Sequence, residues 1–173
     1  WRYSPESKDA DASITGAQLV ALFASKNAGI EVPDEAIAKG KQFLIDCQDE
    51  KGGFGYTGNS GANLPRTAIG SLILSLDKDT DSKPFKSSLE YLRENARFGD
   101  QGHKFYSLYY TAQAMFRASP EDWNTWNLAN VRQLQATQSE SGSWTGNYGT
   151  TFATSAALLA MALNYRYLPI YER

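Results

Sequence analysis

Gln48-Asp49-Glu50-Lys51-Gly52-Gly53-Phe54 and Gln138-Ser139-Glu140-Ser141-Gly142-Ser143-Trp144 follow one pattern: a glutamine, three residues, a glycine, one more residue and a large aromatic. Each copy stands where an amphipathic stretch runs out, which marks a chain built by repetition of one supersecondary unit. Working outward, four segments start with a threonine and a small residue: Thr15-Gly16, Thr67-Ala68, Thr111-Ala112 and Thr154-Ser155. They lie 52, 44 and 43 residues apart, the length of one helix–turn–helix unit. Each is read as opening a helix. Apolar residues recur there at helical spacing: Leu19, Leu22 and Phe23; Ile69, Leu72, Ile73 and Leu76; Phe105, Leu108, Tyr109, Ala112, Met115 and Phe116; Phe152, Ser155, Ala156, Leu159 and Leu163. These four predicted helices carry few charges and belong innermost.

More polar helices alternate with them. Pro33, Pro84 and Pro120 suit a first helical position, where the missing N–H costs nothing, and Asp34-Glu35 and Glu121-Asp122 put negative charge at the positive helix end. Ser119 is a predicted N-cap. Stripes such as Ile37, Gly40, Phe43, Leu44 and Cys47, or Phe85, Leu89 and Leu92, or Trp123, Trp126, Val131 and Leu134, predict outer helices packed inward and wet outward. The connections are rich in Gly, Asn, Ser and Asp, and no stretch sustains a period of two. The fold class expected is therefore all-α, a layered α/α array in which inner and outer helices alternate along a single domain, residues 1–173.

Composition narrows the functions. The 173 residues are 42% hydrophobic and 21% charged, with a net charge of −2, enough apolar material for one sizeable core. Lys and Arg are scattered, so neither nucleic acid nor an anionic membrane surface is an expected partner. No apolar run reaches the roughly 20 residues of a spanning helix, so no transmembrane segment is expected. Cys47 is the single cysteine and sits in an apolar stripe, which reads as a small buried hydrophobe; His103 is the single histidine. Neither has partners at ligand spacing, so neither a metal nor a cofactor is expected. The chain opens on Trp1 rather than Met, which reads as a segment of a longer protein and leaves the compartment open.

The two Gln-x3-Gly-x-aromatic ends, preceded by Phe43-Leu44 and Val131-Arg132, resemble the QW motifs of squalene–hopene cyclases and the related repeats of protein prenyltransferase β-subunits. The resemblance spans essentially the whole chain. Trp1-Arg2-Tyr3 resembles the aromatic end of a further motif, and the tail from Leu163 to Tyr171 resembles the closing segment of bacterial cyclase-like proteins. The resemblance implies an α/α toroid, here a partial ring of about three and a half inner/outer helix hairpins that a missing half or a second copy would complete. It further implies that the motif's glutamine caps a neighbouring outer helix while the aromatic packs over it.

The same resemblance directs attention to Lys8-Asp9-Ala10-Asp11-Ala12-Ser13, ahead of the first inner helix. Class II terpene cyclases carry Asp-x-Asp-Asp-Thr there, and the central Asp protonates an alkene. By position Asp11 is that acid and Asp9 its companion, but Ala12 replaces the next Asp and Ser13 the Thr. On the residues alone, Asp11 or Ser13 caps the inner helix and Asp9 is solvated. Phe105, Tyr106, Tyr109, Tyr110 and Tyr148 are candidates to line a concave face that holds an apolar or isoprenoid-like small molecule, while aromatics at this spacing also serve as plain core. Zinc-dependent prenyl transfer is not expected, since Cys47 is on an outer helix and His103 in a loop. A glycosidase or lyase arrangement of Asp11 and Asp100 with Tyr106 depends on the carboxyl separation. The expected function is a scaffold or apolar-ligand-binding module, with a class II cyclase half-domain as the alternative.

Overall fold

The computed structural model describes residues 1–96 and 103–166. The described residues form seven α-helices: α1 (Ala12–Asn27), α2 (Asp34–Asp46), α3 (Leu64–Leu76), α4 (Lys83–Asn95), α5 (Lys104–Ala118), α6 (Pro120–Thr137) and α7 (Gly149–Ala162), followed by a 3-10 turn over Leu163–Tyr165. The described residues are all-helical in their regular structure, as the spacing of the apolar residues predicts. Asp100 and the tail beyond Arg166 lie outside the described residues.

The odd-numbered helices pack side by side in chain order, α1 on α3, α3 on α5 and α5 on α7. Each even-numbered helix packs on the odd one before it. α3 is the centre of the row: every residue from Leu64 to Ser75 is buried except Arg66. Small side chains, Gly70, Ser71 and Ser75 on α3 with Ser107 and Ala114 on α5, are buried along these neighbouring helices. The outer helices bury one stripe each, Ile37, Gly40 and Leu44 on α2 and Phe85, Ser88, Leu89 and Leu92 on α4.

Helix starts follow their caps. Asp11 Oδ1 accepts from the Ile14 N–H (2.9 Å), Asn63 Oδ1 from Arg66 (3.1 Å), and Ser119 Oγ from Asp122 (3.0 Å). Each satisfies an orphan donor of the first turn. Pro120 is the first residue of α6, whereas Pro33 stands one place outside α2 and Pro84 one place inside α4. The threonine reading needs correction at α5 and α7. α5 begins at Lys104, so Thr111 lies in its third turn and Ser107 takes the fourth helical position held by Thr15 and Thr67. Thr154 likewise lies inside α7. A Thr-small pair is no start signal; the apolar stripe beginning at Phe105 carries α5 backward past it.

Both glutamine turns have the same build. Asp49 and Ser139 bond their backbone N–H to Gly53 O (2.8 Å) and Ser143 O (2.9 Å), and Gly52 and Gly142 take left-handed φ values of 86° and 79°, which favour glycine. Beyond each turn the aromatic's N–H bonds a threonine of the next inner helix, Phe54 to Thr67 Oγ1 (3.0 Å) and Trp144 to Thr154 Oγ1 (3.1 Å). The Trp1 backbone nitrogen does the same to Thr15 Oγ1 at 3.0 Å. Trp1 thus stands where Phe54 and Trp144 stand.

Candidate functional site

Because hairpins alternate in direction, the first turns of α1, α3, α5 and α7 come to one end of the array, around a cavity of about 550 Å³. Ser13, Ile14 and Ala17 of α1, Asn63 just ahead of α3, and Pro65 and Arg66 of α3 line it. Tyr106 and Tyr110 of α5 with His103 just ahead of it, and Phe152 of α7 with Tyr148 just ahead of it, line it as well, and Tyr3 and Tyr56 reach in from the loops that follow Trp1 and Phe54. The wall is aromatic and ordered by ring contacts. Tyr106 and Tyr110 meet edge to face at 5.0 Å, Tyr148 stacks on His103 at 5.7 Å and 7°, and Phe152 stands edge-on to Tyr148 at 5.5 Å. The Tyr148 hydroxyl and His103 Nδ1 are hydrogen-bonded.

Burial pushes the phenol of Tyr110 well up, with Tyr106 and Tyr109 adding to it, and burial likewise raises Tyr106 and Tyr56. These phenols stay protonated at neutral pH, and Tyr106 is hydrogen-bonded to Ser13 and Tyr110, so the aromatic wall carries hydroxyls beside Asn63, Arg66 and His103. Arg66 is held by the loop it faces, donating to Gly61 O (2.5 Å) and Phe54 O (3.4 Å). Its guanidinium lies 5.6 Å from the Tyr56 ring centre, and that of Arg2 lies 5.4 Å from it. Burial lowers the pKa of Arg66, although it remains far above neutral and charged.

Of the residues expected from sequence, Tyr106, Tyr110 and Tyr148 line this cavity and Phe105 and Tyr109 do not. Phe105 is 4% exposed and packs against Gly146, so it belongs to the core. Tyr109 is half-buried and meets Tyr110 edge-on at 5.0 Å. Asp11 is 0% exposed and is not among the lining residues, its backbone N–H on Trp1 O (3.0 Å) and its Oδ1 spent on capping α1, while its Oδ2 has no hydrogen-bond partner among the described residues. Asp9 is apart from it, exposed and ion-paired with Arg2 at 3.0 Å. Tyr3, Tyr56, Arg66, His103 and Phe152 were not among the expected site residues. A signal for two of them existed: Tyr3 and Tyr56 each stand two places after the aromatic of a motif.

Cys47 is 1% exposed, and burial raises its thiol pKa. Among the described residues no group of three or more His, Cys, Asp or Glu side chains could hold a metal ion, and no helix is long and apolar enough to cross a membrane. No protein-family model matches this chain, and no curated protein matches it.

Proposed function

We propose that this chain is a repeat domain of the α/α-toroid kind, akin to the squalene–hopene cyclase and prenyltransferase repeats, and that it binds an apolar, isoprenoid-like molecule without converting it. The cavity of about 550 Å³ lined by Tyr106, Tyr110, Tyr148 and Phe152 carries this reading. Its size suits a small ligand, and its aromatic faces with a few O–H donors suit a body that is apolar with at most one polar end. The capping role of Asp11 supports binding over catalysis, since its carboxylate does not line the cavity. Calorimetric titration of the protein with farnesol tests the reading. Saturable binding is expected, weakened about tenfold by Phe152→Ala, the loss of one aromatic contact worth about 1.4 kcal/mol. Asp11→Asn is expected to bind as the wild type does. No saturable binding up to the solubility limit of farnesol, or indifference to Phe152→Ala, would contradict it.

A second reading, half of a class II cyclase with Asp11 as acid, is favoured by one observation: Asp11 Oδ2 is buried without a hydrogen-bond partner among the described residues. Product formation from squalene that is lost in Asp11→Asn would support this reading against the first.

A further inference from the structure

Arg66 stands in the first turn of α3 and lines the aromatic cavity, yet its charge has no counterpart there. Among the described residues it makes no ion pair, and no Asp or Glu side chain lines the cavity. Arg2 and Arg93, by contrast, are paired, with Asp9 at 3.0 Å and with Asp122 at 2.8 Å. The partners of Arg66 are neutral: its Nε donates to Phe54 O and its Nη2 to Gly61 O, and the guanidinium faces the Tyr56 ring. Those two bonds leave both N–H groups of Nη1 unspent among the described residues.

Loss of hydration is the largest influence on this guanidinium, and Asp11 acts on it less than Tyr56, Tyr106 or Tyr91 does. A half-buried charge without a counter-charge is costly, and an anion that enters the cavity recovers that cost. The surroundings suit an anion too. Tyr56 and Tyr106 keep their hydroxyl protons at neutral pH, and Asn63 lines the same cavity. The first turns of the inner helices converge there as well, with the positive ends of their dipoles.

We infer that the molecule bound in this cavity ends in a single carboxylate, held by Arg66, with its apolar body against Tyr110, Tyr148 and Phe152. The inference rests on the binding role proposed above and names the ligand's polar end. One guanidinium answers one negative charge, and its planar fork of N–H groups matches the two oxygens of a carboxylate. A diphosphate brings more negative charge than one arginine balances. An alcohol leaves the arginine without its counter-charge. The ligand class is therefore an apolar, isoprenoid-like monocarboxylic acid.

The test is calorimetric titration of the whole protein, at neutral pH, with farnesoic acid, methyl farnesoate, farnesol and farnesyl diphosphate. Farnesoic acid is expected to bind about tenfold more tightly than farnesol, the effect of one charge-assisted bonded pair, and more tightly than the diphosphate. Methyl farnesoate has the same chain without the charge and is expected to bind as farnesol does, a comparison that needs no variant. Arg66→Gln keeps an N–H donor for Gly61 O and is expected to weaken the acid about tenfold while farnesol stays within about twofold. Arg66→Lys, which keeps the charge without the fork, is expected to recover part of the loss. The ester or farnesol binding as tightly as the acid, the diphosphate binding more tightly, or Arg66→Gln weakening acid and alcohol equally would overturn the inference. Saturable farnesol binding in those cases would leave the binding role of the cavity standing. Binding by none of the four would overturn both.

Discussion

At the scale of single residues, Asp11 has a structural task that its buried position explains. One carboxylate oxygen closes the first turn of α1, and the backbone on either side is held by Trp1 O and Tyr56 O. Asparagine can accept the same bond, so Asp11→Asn is expected to melt within a few tenths of a kcal/mol of wild type, whereas Asp11→Ala should lose about 1 kcal/mol in urea denaturation. A near-equal loss in both variants would show that the charge, not the cap, matters. Gly70 is a second sensitive point: a Cβ there would stand 2.6 Å from the Phe54 ring, so Gly70→Ala is expected to cost about 1–3 kcal/mol. The cap was legible in Asp-Ala-Ser ahead of an apolar run. So was a solvated Asp9 apart from it; what was not legible is the ion pair of Asp9 with Arg2, which depends on how the loop before α1 folds back.

At the scale of elements, neighbouring outer helices are joined end to start, by two different devices. The Gln48 amide joins α2 to α4, while α4 is joined to α6 by a two-pronged ion pair, Arg93 Nε to Asp122 Oδ1 (2.8 Å) and Nη2 to Oδ2 (2.9 Å). Gln48→Ala should therefore cost about 1–2 kcal/mol and Gln138→Ala distinctly less, since among the described residues the Gln138 amide bonds only within its own turn. Equal losses in chemical denaturation would contradict the joint. The Arg93 guanidinium beside Asp122 holds its carboxyl below the usual aspartate value, and Ser119 helps. A depressed pKa stabilises the fold above the unfolded value, near pH 4, and that contribution is lost as pH falls further. Asp122→Asn is expected to flatten the acid side of a Tm-against-pH curve. The helices themselves were legible, because 3.6-residue stripes and caps are local signals. The start of α5 was not, since Thr111 repeats the spacing of Thr15 and Thr67 without their position in the helix.

At the scale of the whole molecule, alternating hairpins bring four inner-helix starts together, and the cavity follows from that convergence. Tyr106 and Tyr110 could be placed on it from sequence because they share a face of α5. Tyr3 and Tyr56 carried only the signal of their place after a motif aromatic, and Arg66 carried none, because loop contacts fix where they stand: Ala12 N–H holds Tyr56 O at 2.8 Å, and Gly61 O holds the Arg66 guanidinium. The α7 wall is the weakest part of the enclosure, with Tyr148 56% and Phe152 38% exposed, so ligand binding should order it most. The most direct measurement is a crystal structure of the protein grown with farnesol. Density for the isoprenoid chain is expected between Tyr106, Tyr110 and Phe152; farnesol bound elsewhere, or a cavity closed by inward-turned tyrosine rings, would contradict a binding role for this site.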